Sequence, residues 1–189
     1  MCDDAPDVEA GTLRVLLAIN AAMFAFEVVA GWLAQSTGLL ADSLDMLADA
    51  AVYGLALHAV GRPPGLKVRA AHASGWLQLA LALGAFAEVA RRALQGSTPE
   101  PPTMIGVSLV ALAANVTCLV LVHRHRHRHR GAHMEASFIF SANDVLANLG
   151  VIAAGALVAW TGSPVPDLVI GAAIAGLVLR GAVRILRLQ

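Results

Sequence analysis

GLLADSLDMLADAAVYG, residues 38–54, sets three carboxylates, Asp42, Asp45 and Asp49, inside an otherwise apolar run. At about 3.6 residues per turn, steps of three and four residues put all three on one stripe of an α-helix. The run is bounded by AQST before it and GRPPGLKVR after it, which leaves the roughly 20 residues that a helix needs to cross a bilayer. An ionisable group inside such a span costs at least about 2.5 kcal/mol on insertion scales. Three carboxylates so close together in a low dielectric must hold protons or share a cation.

The rest of the chain fits the same setting. Of its 189 residues 58% are hydrophobic and only 14% charged, with a mean hydropathy of +0.69, unlike ordinary soluble domains. Windows of transmembrane length fall at 11–33, 38–60, 72–94, 103–122, 135–160 and 165–185, separated by turn-forming or basic joints. The expected fold is all-α: a polytopic membrane protein whose six transmembrane helices, within 11–189, pack closely through recurrent Ala, Gly and Ser. Residues 1–10, MCDDAPDVEA, lack the basic region and cleavage site of a signal peptide and read as a disordered N-terminus. Four residues follow the last window, so no C-terminal soluble domain is expected.

Lys and Arg fix the expected orientation. Eleven of the 13 lie at the N-terminus, in the second and fourth joints or at the C-terminal end, and only Arg91 and Arg92 lie on the other side. Both termini are therefore expected in the cytoplasm, in the cell (inner) membrane. The balance of 13 basic and 13 acidic residues leaves no footprint for nucleic acid. Cys2 and Cys118 are too few and too distant for a disulfide framework or a metal knuckle.

The fifth span holds one carboxylate, Asp144, with Ser141 and Asn148 on its face at i−3 and i+4 and Asn143 turned aside. Asp49 lies 11 residues into span two and Asp144 nine residues into span five. At about 1.5 Å per residue both reach mid-bilayer, where they can share a site. The first span adds Asn20 and Glu27 on one stripe, with Glu27 at a depth comparable to Asp42. This suits an outer pathway, or a protonated Glu27 hydrogen-bonded between helices. Glu88 is read as a local ion pair with Arg91 and Arg92.

Oxygen-rich donor sets of this kind suit divalent first-row metals without sharp preference. A carboxylate binds metal only when ionised, so metal and proton compete for the same oxygens, and that competition is an exchange mechanism. His123, His125, His127 and His129 alternate with Arg124, Arg126, Arg128 and Arg130 in the expected cytoplasmic loop at 123–134. Such tracts can capture metal, but the interleaved guanidiniums repel it and favour a basic, lipid-facing loop. His72 and His58 sit at the inner ends of spans three and two, on a conceivable access route or in interfacial packing.

On these residues the chain resembles the cation diffusion facilitators, six-helix transporters that exchange zinc and related divalent metals for protons. The resemblance covers about residues 13–185. It rests on Asn20, Glu27 and Gly31 in the first span, STGLLADSLDMLADA at 36–50 and SANDVLANLGV at 141–151. It implies a tetrahedral transport site with Asp45 and Asp49 from the second span and Asp144 from the fifth. Where the family has His four residues before that Asp, this chain has Phe140, so Ser141, Asn148 or water must complete the shell and the preference for zinc weakens. The resemblance further implies a transmembrane-only member, a homodimer formed through membrane helices, and a His tract where eukaryotic zinc-carrying members have one.

The expected function is efflux of a divalent metal, Zn²⁺ foremost and Cd²⁺, Co²⁺, Mn²⁺ or Fe²⁺ as alternatives, by metal/proton antiport with alternating access. The protein is then a secondary active transporter and not an enzyme, and it needs no cofactor beyond the transported ion. The competing reading is a membrane protein whose metal site is structural or regulatory and moves nothing. An intramembrane hydrolase would need a water-activating motif such as HExxH, and the sequence has none.

Overall fold

The computed structural model describes residues 4–59, 64–126 and 132–187, with side chains for 10–58, 69, 72–124 and 142–187. These residues form α1 (Asp4–Leu33), α2 (Thr37–Ala59), α3 (Pro64–Gln95), α4 (Pro101–Arg126), α5 (Ala132–Thr161) and α6 (Val165–Leu186), with no strand among them. The all-α bundle of six helices read from the sequence is the fold. Five of the helices are long and apolar enough to cross a membrane. The sixth, α2, is set apart by its three aspartates.

Two segments expected to be irregular are helical over their described residues. The N-terminal ten residues, expected to be disordered, join α1 from Asp4 onward. Asp4, Asp7 and Glu9 fall in its opening turns. The 123–134 stretch, expected to be a loop, lends its first residues to α4 as far as Arg126 and its last to α5 from Ala132. No residue of strong helix-breaking character precedes Gly131 there. His127 and His129 lie outside the described residues. Pro64 and Pro101 open α3 and α4, at the position where the missing N–H of proline removes no hydrogen bond.

The helices associate as α1 with α2, α3 with α6 and α4 with α5, while α2 also touches α3, α5 and α6. The helix that carries the three aspartates is therefore the one with the most neighbours. Large apolar side chains such as Phe26, Trp32, Leu94, Leu146 and Trp160 point outward, as a lipid solvent allows. Inward faces carry polar residues among apolar ones. On α1 the buried stripe is Leu16, Asn20, Met23 and Glu27, and on α4 it is Ala111, Asn115, Cys118 and Val122, both at helical spacing.

Two glycines let the backbone of a neighbouring helix come close. A Cβ at Gly31 of α1 would stand 3.0 Å from the backbone nitrogen of Leu40, and one at Gly171 of α6 would stand 2.8 Å from Thr37 Cγ2 and 3.0 Å from the Thr37 carbonyl. Both approaches pin the start of α2. Asp167 of α6 completes the clamp. Its carboxylate accepts hydrogen bonds from Ser36 Oγ at 2.7 Å and from the backbone N–H groups of Thr37 at 2.5 Å and Gly38 at 2.9 Å. Those N–H groups have no intrahelical partner, so a carboxylate from a neighbouring helix satisfies them and the helix dipole together. Ser36 Oγ in turn accepts from Leu39 N at 3.1 Å, an N-cap contact.

The turns 34–36 and 96–100 are tied to each other at this end of the bundle. Glu100 N donates to Ala34 O at 2.9 Å, and Thr98 donates to Gln35 Oε1 through its backbone N at 3.3 Å and its Oγ1 at 3.1 Å. We call this the turn end and the opposite one the terminal end.

Candidate metal centre

The packing of α2 against α5 brings three carboxyl groups together. Asp45 and Asp49, one turn apart on α2, both come within side-chain hydrogen-bonding contact of Asp144 on α5. Asp49 and Asp144 are only 4% and 5% exposed, and one oxygen of Asp49 has no partner. Carboxyl groups held this close share a proton, or a cation in its place. As the helices stand, no three His, Cys, Asp or Glu side chains among the described residues form a closed ligand set.

Asp42 and Glu27 form the next layer toward the turn end. Both are fully buried, and none of their four oxygens has a partner. Glu27 lies close enough to Asp42 and Asp45 to feel their charges, and Asp42 acts likewise on Asp144. Five carboxyl groups from three helices thus lie within electrostatic reach of one another along one path, four of them buried and Asp45 half-buried. Among the described residues the ion pairs are those of Glu88 with Arg91 and Arg92, well away from this path, as the sequence had suggested for Glu88.

Two carboxamides border the path with their oxygens available. Asn148 Nδ2 donates to the Asp144 backbone carbonyl at 2.8 Å, and Asn20 Nδ2 to that of Leu16 at 2.9 Å. In both, the amide nitrogen is spent on its own helix and the Oδ1 is buried without a partner. An amide oxygen so placed is a neutral donor for a cation or an acceptor for a protonated carboxyl.

Other residues named from the sequence fall elsewhere. His58 and His123 are exposed near the terminal ends of α2 and α4, and His72 is half-buried on α3, a helix that packs on α2 and α6. None of them belongs to the carboxyl cluster. The backbone of Ser141 is part of α5, one turn before Asp144. Its side chain, like that of His125, is outside the described set.

Two residues on α4 were not anticipated. Asn115 is fully buried with neither polar atom of its side chain partnered. Cys118, 1% exposed, lies one turn further on and is close enough to interact electrostatically with Asp49 and Asp144. The available signal was a lone carboxamide within an α4 span of hydropathy 2.4, a place where a polar residue needs a reason.

Residues 13–188 match the model of the cation efflux transmembrane domain. The chain belongs to the cation efflux family. Among curated cation efflux relatives, the zinc transporter ZitB of Escherichia coli (strain K12) is 32% identical over 197 residues, 96% of this chain and 61% of that protein. Its namesake in Pectobacterium atrosepticum is 32% identical over 196 residues, 95% and 60% of the two chains. The zinc transporter ZitB of Yersinia pestis is 26% identical over 198 residues, 96% and 62%. The chain thus spans about three fifths of the length of these relatives.

Proposed function

We propose that this cation efflux domain moves a divalent metal cation out of the cytoplasm in exchange for protons, with Zn²⁺ the leading substrate and Cd²⁺, Co²⁺, Mn²⁺ and Fe²⁺ the alternatives. The observation that carries the reading is the meeting of Asp45, Asp49 and Asp144 from two helices in one buried cluster. The family membership and the zinc transporters among its relatives support it.

The chemistry follows from competition. With the cluster open to the cytoplasm, Asp45, Asp49 and Asp144 release their protons to the cytoplasm as a metal ion takes their place, and the Asn148 oxygen, Ser141 or water completes the shell. With the cluster open to a more acidic exterior, protons reclaim the carboxylates and the metal leaves. The transition needs α2 and α5 to expose one site alternately to the two sides, the alternating access of a midplane site. Asp42 and Glu27 line the way between the cluster and the turn end, and Asn20 flanks the cluster at the depth of Asp49. The Lys and Arg bias supports an orientation with that end outside and both termini in the cytoplasm, in the inner membrane. Pairing of two copies would run through membrane helices. The His and Arg tract at the terminal end touches anionic lipid or passing metal.

The test is transport in proteoliposomes under a pH gradient, with the five metals compared in one assay. Asp49→Ala and Asp144→Ala, each expressed and folded, should abolish metal-dependent proton movement. Normal transport by both variants would overturn the site. Metal binding without movement across the bilayer would show a structural or regulatory site instead.

A further inference from the structure

At the turn end, apart from the carboxyl path, a cavity of about 250 Å³ lies between the ends of α1 and α3, lined by Trp32, Gln35, Arg91, Arg92, Gly96 and Ser97. Its polar groups are donors. Each nitrogen of Arg91 has a partner: Nε and Nη2 reach Glu88 at 2.8 and 2.7 Å, and Nη1 reaches Gln95 at 3.0 Å. Arg92 differs. It is 4% exposed, its Nε donates to Glu88 at 2.5 Å, and its buried Nη1 has no partner.

One carboxylate serves two guanidiniums here, so a positive charge is left over beside the cavity. Ser97 Oγ is likewise shielded from solvent and unpartnered. The Gln35 amide oxygen is occupied by Thr98, which leaves the amide NH₂ as the group Gln35 can offer. A buried, incompletely paired guanidinium is costly unless a ligand completes its hydrogen bonds. A charged donor set without an acceptor suits an anion that carries several oxygens in fork geometry, as phosphate does.

The surroundings fix the depth. Trp32 and Leu33 at the end of α1, Leu94 at the end of α3 and Trp160 at the end of α5 are 67%, 75%, 87% and 84% exposed. Exposed tryptophans at helix ends mark the headgroup level of a bilayer.

We propose that this cavity is a phosphate-binding site, filled in the membrane by the phosphodiester of an anionic phospholipid, with Arg92 and Ser97 as its principal donors. The proposal does not depend on the transport reading. Its test uses the purified, delipidated full chain in detergent. One arm adds phosphatidylglycerol back and counts the lipid retained per chain by native mass spectrometry. The other titrates inorganic phosphate calorimetrically.

Arg92→Gln should lower lipid retention by roughly tenfold or more, the usual weight of a hydrogen bond to a charged group. Arg92→Gln also removes a partner of Glu88 and can disturb folding. Ser97→Ala therefore serves as the second variant, because Ser97 Oγ holds nothing in the fold, and it should lower retention by about threefold or more. Arg91→Gln, whose groups are already engaged, should change it less than either. Retention of phosphatidylglycerol without inorganic phosphate binding identifies the lipid as the source. Arg92-dependent binding of inorganic phosphate alone identifies free phosphate in the same site. Equal binding in wild type, Arg92→Gln and Ser97→Ala, or none of either ligand by the wild type, would overturn the proposal.

Discussion

Asp167, at the start of α6, and Ser36, at the head of α2, are joined by a 2.7 Å hydrogen bond across 131 positions of sequence. The same carboxylate takes the N–H groups of Thr37 and Gly38, so one side chain anchors the helix that carries Asp42, Asp45 and Asp49. Asp167→Ala strands a hydroxyl and two backbone donors in a buried site. We expect a loss of about 2–4 kcal/mol, read as a fall in melting temperature in detergent on the order of 5–15 °C. Asp167→Asn should be nearly as harmful, because an amide NH₂ must then face a donor. A neutral Asn variant would mean that the carboxylate is not what holds α2 to α6.

Gly171 lies one turn further along α6 and meets the same residues. Gly171→Ala would set its Cβ 3.0 Å from the backbone of Thr37, which can yield only by moving α6 away from α2. A loss of about 1–3 kcal/mol is expected for such overpacking. Gly176→Ala, on the same helix with nothing within 4 Å of its Cβ, should leave stability unchanged or raise it by up to about 1 kcal/mol. Opposite signs in paired thermal melts would support the close contact, and equal effects would contradict it.

Much of this arrangement was legible in the sequence. The stripe of Asp42, Asp45 and Asp49 follows from helical spacing, and counting residues from the joints puts Asp49 and Asp144 at one depth. The face of α4 was not legible. Its span is apolar on nearly every side, so only the packing reveals that Asn115 and Cys118 turn toward the carboxyl path. Asp167 was hidden differently. Beside TGSPVP it reads as an ordinary residue of an interfacial turn, and no local pattern announces a cap donated from a helix 130 residues away. The His and Arg alternation of 123–130 looked like loop composition because charge gives no information about backbone, and helix α4 simply continues into it.

Asn115 should matter to the ion even though the sequence did not single it out. A buried carboxamide with both polar atoms unpartnered destabilises the apo fold. Asn115→Leu should therefore raise the melting temperature without metal while weakening metal binding several-fold in calorimetry. A stabilised variant that binds metal as tightly as wild type would assign Asn115 to packing alone.

Acid should release the metal. Each carboxylate of the cluster binds an ion only after giving up its proton, so the apparent Kd should rise as pH falls on the loading side, and binding should liberate protons. Calorimetry in buffers of different ionisation enthalpy counts those protons. Asp49→Asn and Asp144→Asn, which have no proton to release at their own positions, should each lower the count. A pH-independent Kd with no proton release would remove the exchange chemistry, whatever the site geometry.

Position 140 offers the sharpest test of metal choice. On α5 it lies four residues before Asp144, one turn away on the same stripe, and it is where the resemblance places an imidazole and this chain has Phe. Imidazole favours zinc over harder ions such as manganese, whereas carboxylate and amide oxygens discriminate little. Phe140→His should therefore raise the ratio of Zn²⁺ to Mn²⁺ transport by roughly tenfold, equivalent to about 1.4 kcal/mol of differential binding. Phe140→Leu keeps an apolar side chain and should leave the ratio unchanged. If the two variants behave alike, residue 140 does not reach the ion. The fourth donor must then come from Asn148, Ser141, water or the α4 side of the cluster.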